Sequence, residues 1–115
     1  MNLLSETKKV LADNGKLPRD VRWVGTKLVA TTWGNFAKVA DVEYNAGFGA
    51  PQVAKDLIVS GDGWWMERHE YDGSEWWEFK KIPDTPLTEV VIKSVVATEE
   101  EVGWVKLMDI KLNKP

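Results

Sequence analysis

Two Asp-Gly dipeptides cut the most aromatic stretch of this chain into three pieces: residues 56–81 read DLIVSGDGWWMERHEYDGSEWWEFKK. Tight hairpin turns need positive φ, which Gly adopts at no steric cost and Asp tolerates. Asp62-Gly63 and Asp72-Gly73 therefore predict strand, turn, strand, turn, strand. The strands are expected near 56–60, 64–71 and 75–81, as an antiparallel meander against which everything else must pack. The same stretch holds four of the chain's seven tryptophans and its single histidine. Ordinary usage would put roughly one or two tryptophans in a chain of this length. Aromatic side chains bury large areas, so most of these predict core, and the remainder predict a surface used for binding.

With 43% hydrophobic and 29% charged residues among 115, the chain reads as one soluble domain spanning 1–115. There is no cysteine, which excludes a disulfide framework and a thiolate metal site. The first fifteen residues lack the apolar run of a signal peptide, and no window is long enough to span a bilayer. A cytoplasmic protein without membrane contact is expected. A net charge of −3 disfavours nucleic acid as the main partner, because phosphate binding rests on clustered Lys and Arg.

Residues 3–13 carry Leu4, Thr7 and Leu11 along one helical stripe, flanked by Leu3 and Val10. Asn2 predicts the N-cap, Asn14-Gly15 the stop, and Pro18 prevents resumption. Residues 21–29 predict a short hairpin with Gly25 at the first turn position. Thr32 predicts the cap of a second helix over 33–40, on which Trp33, Phe36, Ala37 and Ala40 repeat at helical spacing. Residues 45–49 form a loop by composition. Its Gly47-Phe48-Gly49 is no phosphate cradle, since position 52 is Gln and no Gly-Lys-Ser/Thr follows. Residues 53–56 fit either a helical turn or an edge strand. Beyond the proline-bearing connector at 82–87, the β-branched residues 89–97 predict another strand. Thr98 and Glu101 match a capping box for a third helix over 99–109, with Trp104, Val105 and Met108 on its stripe and Val102 and Leu107 at the edges. A last strand alternating Met108, Ile110 and Leu112 is the rival. The fold class expected is α+β: an antiparallel sheet centred on the meander, with about three short helices packed mainly on one face.

Strand alternation puts Trp77 and Phe79 on one face of the third meander strand and Trp76, Glu78 and Lys80 on the other. The loop at Asp72-Gly73 decides which residues of 64–71 join them. A two-residue loop sets Glu70 opposite Glu75 and Glu67 opposite Glu78, and like charges directly opposite are unfavourable. A three-residue loop sets Tyr71 opposite Glu75 and Arg68 opposite Glu78, and is preferred on that ground. In that register Trp65, His69 and Tyr71 join the core side, and Trp64, Met66, Arg68 and Glu70 join Trp76 on the other. The candidate binding surface is then Trp76, Glu78, Lys80, Arg68 and Trp64.

The cluster Glu67-Arg68-His69-Glu70 lacks a second His or a Cys for a metal, and no Ser, Thr or Lys beside a base marks a nucleophile. His69 predicts a partly buried, hydrogen-bonded histidine. Neither a cofactor nor a metal is expected, nor an enzyme. Tryptophans stack on single-stranded nucleic acid, but the meander balances its basic residues with Glu67, Glu70, Glu75 and Glu78. Trp-rich sheets that stack on sugars belong mostly to secreted proteins.

The stretch ERHEYDGSEWWEF, residues 67–79, resembles a motif in small uncharacterised proteins of phages and prophages of Gram-positive bacteria. Those proteins also begin with a short helix and carry an apolar strand like DLIVSGDGWW before the motif. The likeness covers residues 41–81 and, more loosely, the N-terminal helix. It implies expression in the bacterial host cytoplasm from a mobile element and carries no catalytic residue. Together with the surplus aromatics, it leads to the expectation of a non-enzymatic accessory factor that engages or inhibits a host protein. A nucleic-acid-associated factor in phage replication or regulation is the alternative.

Overall fold

An apolar stripe with a cap at each end specifies the first element. In a computed structural model, which describes residues 1–47, 49–101 and 103–115, helix α1 runs Leu3–Asp13. The Asn2 side chain accepts the N–H of Ser5, and Leu3, Thr7 and Leu11 are buried. Gly15 follows at φ 72 and ends the helix in the conformation that favours glycine. Helix α2, Trp33–Ala40, is capped by Thr32, whose hydroxyl oxygen accepts the N–H of Asn35, and it buries Phe36 and Ala40. Both helices fall where the sequence places them.

Five strands follow: β1 (Trp23–Gly25), β2 (Ala30–Thr31), β3 (Ile58–Ser60), β4 (Trp64–Tyr71) and β5 (Ser74–Lys81). They form one antiparallel sheet in the order β2-β1-β3-β4-β5. The first hairpin is present, but its turn is not at Gly25-Thr26. Gly25 pairs with Ala30, and the loop is tightened by the Thr26 hydroxyl oxygen, which accepts the N–H groups of Leu28 and Val29. The fold is α+β as expected, with two α-helices rather than three among the described residues.

The register of the last hairpin corrects the sequence expectation. Tyr71 pairs with Ser74, Arg68 with Trp77 and Glu67 with Glu78, so the loop has two residues. Asp72 at φ 50 and Gly73 at φ 84 both take positive φ, as a type I′ turn requires. Turn chemistry prevails over the like-charge penalty because Glu67, Glu75 and Glu78 each find a counter-group, as described below, and Glu70 is exposed to solvent. The one-residue change exchanges the two faces of β4. Trp64, Met66 and Arg68 are buried on the core side, while Trp65, Glu67, His69 and Tyr71 lie on the outer side.

The core joins Leu3, Leu11, Phe36 and Ala40 from the helices to Val24, Val59, Trp64, Met66 and Trp77 from the sheet. Trp64 stacks on Phe79 with ring centroids 5.4 Å apart. Its indole lies so close over Gly61 that a Cβ there would meet the ring at 2.1 Å. The Trp77 indole N–H donates to the Thr7 hydroxyl at 2.9 Å, tying α1 to β5.

Contacts divide the chain into two compact units, Met1–Pro83 and Asp84–Pro115. The elements above all belong to the first. Among the described residues of the second, neither the strand over 89–97 nor the helix over 99–109 is present, and nor is the rival last strand. Two 3₁₀ turns, Leu107–Asp109 and Lys111–Asn113, are the regular structure described there. Val91, Val95 and Val96 are exposed, and β-branched residues without a partner strand gain no ladder to hold them extended. Thr98 and Glu101 do bond to each other, but as a closed turn with no helix after it, and Gly103 sits at φ 85. Val102, assigned to the edge of that helix, lies outside the described residues, as does Phe48 of the loop at 45–49. Asn113 organises this unit: its side chain accepts the N–H groups of Lys93 and Ser94 and donates to the carbonyls of Ser94 and Leu107.

Candidate functional site

Antiparallel pairing stacks outward-facing residues in rows across the sheet. One row reads Trp23, Ser60, Trp65, Lys80, and the next Gly25, Ile58, Glu67, Glu78, followed by His69 beside Trp76. None of these side chains belongs to the buried core, whose helical residues all meet the opposite face. Trp23 and Trp65 are half-buried, and Trp76 retains 36% of its surface. This outer face is the candidate interaction surface.

At its centre the facing glutamates form an organised polar cluster. The Trp65 indole N–H donates to Glu67 at 3.0 Å, and the Trp76 indole N–H donates to Glu78 at 3.2 Å. Nε2 of His69 stands 3.6 Å from Glu67 and 3.5 Å from Glu78, and the Lys80 ammonium lies 3.3 Å from Glu78. Partial desolvation pushes the Glu78 carboxyl up, but Trp76, Lys80 and His69 outweigh it and hold it below the ordinary carboxylate range. Two tryptophans are thus pinned in place by the acids between them, and pre-set aromatic rings lose little freedom on binding. Against the sequence expectation of a hydrogen-bonded histidine, the His69 Nε2 is buried and makes no hydrogen bond. Among the described residues no group of His, Cys, Asp and Glu has the arrangement to hold a metal ion.

Along the β1–β3–β4 side, the face deepens into an open groove of about 1290 Å³ walled by Trp23, Leu28, Ile58, Trp65 and Glu67. Small-molecule pockets enclose about 300–1,000 Å³ and bury most of their ligand. A larger trough left open suits a protein segment better.

Of the five residues assigned to binding from sequence, Trp76, Glu78 and Lys80 lie together on this face. Arg68 and Trp64 do not. Both are buried, Arg68 at 9% and Trp64 at 4% exposure, because the two-residue turn sends them inward. Trp23, Trp65, Glu67 and His69 take their places, and the signal that identifies all but Trp23 is the Asp72-Gly73 dipeptide itself.

Arg68 instead centres a buried polar network. Its guanidinium donates to Glu75 at 2.9 Å and to the Tyr44 hydroxyl at 3.1 Å, reaches Glu6 at 3.5 Å, and lies 4.9 Å from the Trp77 ring centroid. Glu75 also accepts the N–H groups of Gln52 and Val53. Burial pushes the Glu75 carboxyl up, but those N–H donors and Arg68 hold it below the ordinary range. Burial, with the bond to Glu6, raises the Tyr44 hydroxyl to about 12 against the opposing pull of Arg68. These groups face one another rather than solvent, so the network holds the fold together and offers no surface. No family model, no curated protein and no solved structure matches this chain, and no helix among the described residues is long and apolar enough to cross a membrane.

Proposed function

We propose that this chain is a non-enzymatic binding protein that engages another protein through the outer face of its sheet. In the setting its motif implies, it is a phage or prophage accessory factor acting on a host protein. The observation that carries this reading is the uncovered face on which Trp23, Trp65 and Trp76 surround the Glu67–Glu78 pair. Tryptophan is among the residue types most enriched at binding hot spots, and a polar centre with fixed geometry supplies specificity. Two acids at the centre of that face disfavour a phosphate backbone as its ligand.

Accessibility is checked first. Replacing Trp76 with Phe is expected to lower the acrylamide-quenchable share of the tryptophan emission and to change stability by less than about 0.5 kcal/mol. The immobilised chain is then expected to recover a stoichiometric protein from a Gram-positive lysate, and Trp65→Ala with Trp76→Ala to abolish that recovery. Recovery unaffected by these substitutions would refute the face, and steeply salt-dependent DNA or RNA binding would favour the nucleic-acid alternative.

A further inference from the structure

The sheet ends on one side at β5, an eight-residue strand that pairs only with β4 among the described residues. The closed Tyr71–Ser74 turn and the Ile82 N–H donated to Gly63 show which backbone groups of β5 face β4: those of Ser74, Trp76, Glu78, Lys80 and Ile82. The groups of Glu75, Trp77, Phe79 and Lys81 therefore point away from the sheet. The Glu75 N–H is taken by the carbonyl of Ala46 at 2.9 Å. Trp77, Phe79 and Lys81 form no backbone bond on that side among the described residues. Beyond them stands Pro83, which has no N–H to offer.

We infer that this edge pairs antiparallel with β5 of a second copy of the chain, about a two-fold axis at Phe79, to make one continuous sheet across a dimer. In that register Phe79 pairs with Phe79 of the other copy, and Trp77 with its Lys81, so all three free residues bond. The next pair outward sets Glu75, whose N–H is already used, against Pro83, which has none. The ladder thus ends at both limits where the free groups end.

The outer-face side chains agree with the same register. Glu78 falls opposite Lys80 of the other copy, twice by symmetry, and Trp76 falls opposite Ile82. Trp76 and Ile82 are 36% and 65% exposed in the single chain, and in this register they stand side by side on the continued outer face, which stays open. Centring the axis one residue either way places Glu78 against Glu78 or Lys80 against Lys80, which opposite-strand pairing penalises. Moving it by two draws on the occupied Glu75 amide or on the missing amide of Pro83. Lysines on an edge strand ordinarily discourage pairing; here Lys80 meets a glutamate, which makes the edge selective for its own sequence.

Sedimentation equilibrium over a concentration series is expected to show a monomer–dimer equilibrium for the full chain. Lys80→Glu alone and Glu78→Lys alone should each weaken self-association roughly tenfold or more, since like charges then face each other at both symmetric positions. Mixing the two variants should restore the dimer, because Lys then faces Glu throughout; this recovery also separates lost pairing from lost folding. The chain contains no cysteine, so a Glu78→Cys chain mixed with a Lys80→Cys chain should form a hetero-disulfide on mild oxidation, in preference to either homo-disulfide. A monomer at all concentrations overturns the inference. So does a dimer that ignores the charge changes or fails to cross-link at these positions.

Discussion

Replacing Arg68 with Ala is expected to cost about 3–5 kcal/mol in urea unfolding, the range for removing one partner of a buried ion pair. Both the Arg68 and Glu75 side chains are 3% exposed, so the loss strands a carboxylate that water cannot reach. Lysine should recover little, because one ammonium cannot reproduce the fork that joins Glu75, Tyr44 and Glu6. The network also sets an acid limit. Glu75 is held below its ordinary value in the folded chain, so its contribution is complete above the unfolded carboxylate pKa of about 4.3. It is lost as pH falls through the lower folded value. The Glu75→Gln variant should lose less stability than the native chain on acidification below that point. An Arg68→Ala cost under about 1 kcal/mol would mean that the guanidinium is solvated.

Trp77→Ala is expected to cost about 3–5 kcal/mol by removing a large core side chain. Trp77 is 5% exposed and bridges the layers: its ring lies beneath Arg68, and its N–H reaches Thr7 on α1. Trp77→Phe retains most of the packing and isolates the hydrogen bond, worth about 1 kcal/mol. The two sites share a contact, so the double variant with Arg68→Ala should cost less than the sum. Additivity would deny that the indole and guanidinium interact.

What the sequence made legible follows its local signals. Asn2, Thr32 and Asn14-Gly15 mark the ends of α1 and α2, and the two Asp-Gly dipeptides mark the turns of the meander. Trp77 and Trp76 were assignable to opposite faces because they are adjacent on one strand, whatever the loop length. The sequence expectation reverses the faces of β4 because it treats Glu67 opposite Glu78 as a bare charge pair. His69, Lys80 and the indole N–H groups of Trp65 and Trp76 surround that pair, and all four lie on the same two strands, within reach of a sequence argument. The fixing of residues 44–53 was not within reach. Its hold comes from Glu75 and Arg68, more than twenty residues away along the chain, and no local pattern encodes such a partner. The same holds for 89–97, where strand propensity met no neighbouring strand.

The bonds from α1 to Arg68 and Trp77 join residues 62 and 70 positions apart. During synthesis, α1 is therefore made well before anything exists for it to dock against. At about 5–20 residues per second that interval is roughly 4–14 s, and an isolated helix of 11 residues is barely stable in water by itself. Its apolar stripe, Leu3, Leu4, Val10 and Leu11, is available to nascent-chain chaperones for that whole period. The closing step of biogenesis is then the arrival of the Asp72-Gly73 hairpin, which snaps shut locally and recaptures a helix that has waited for it.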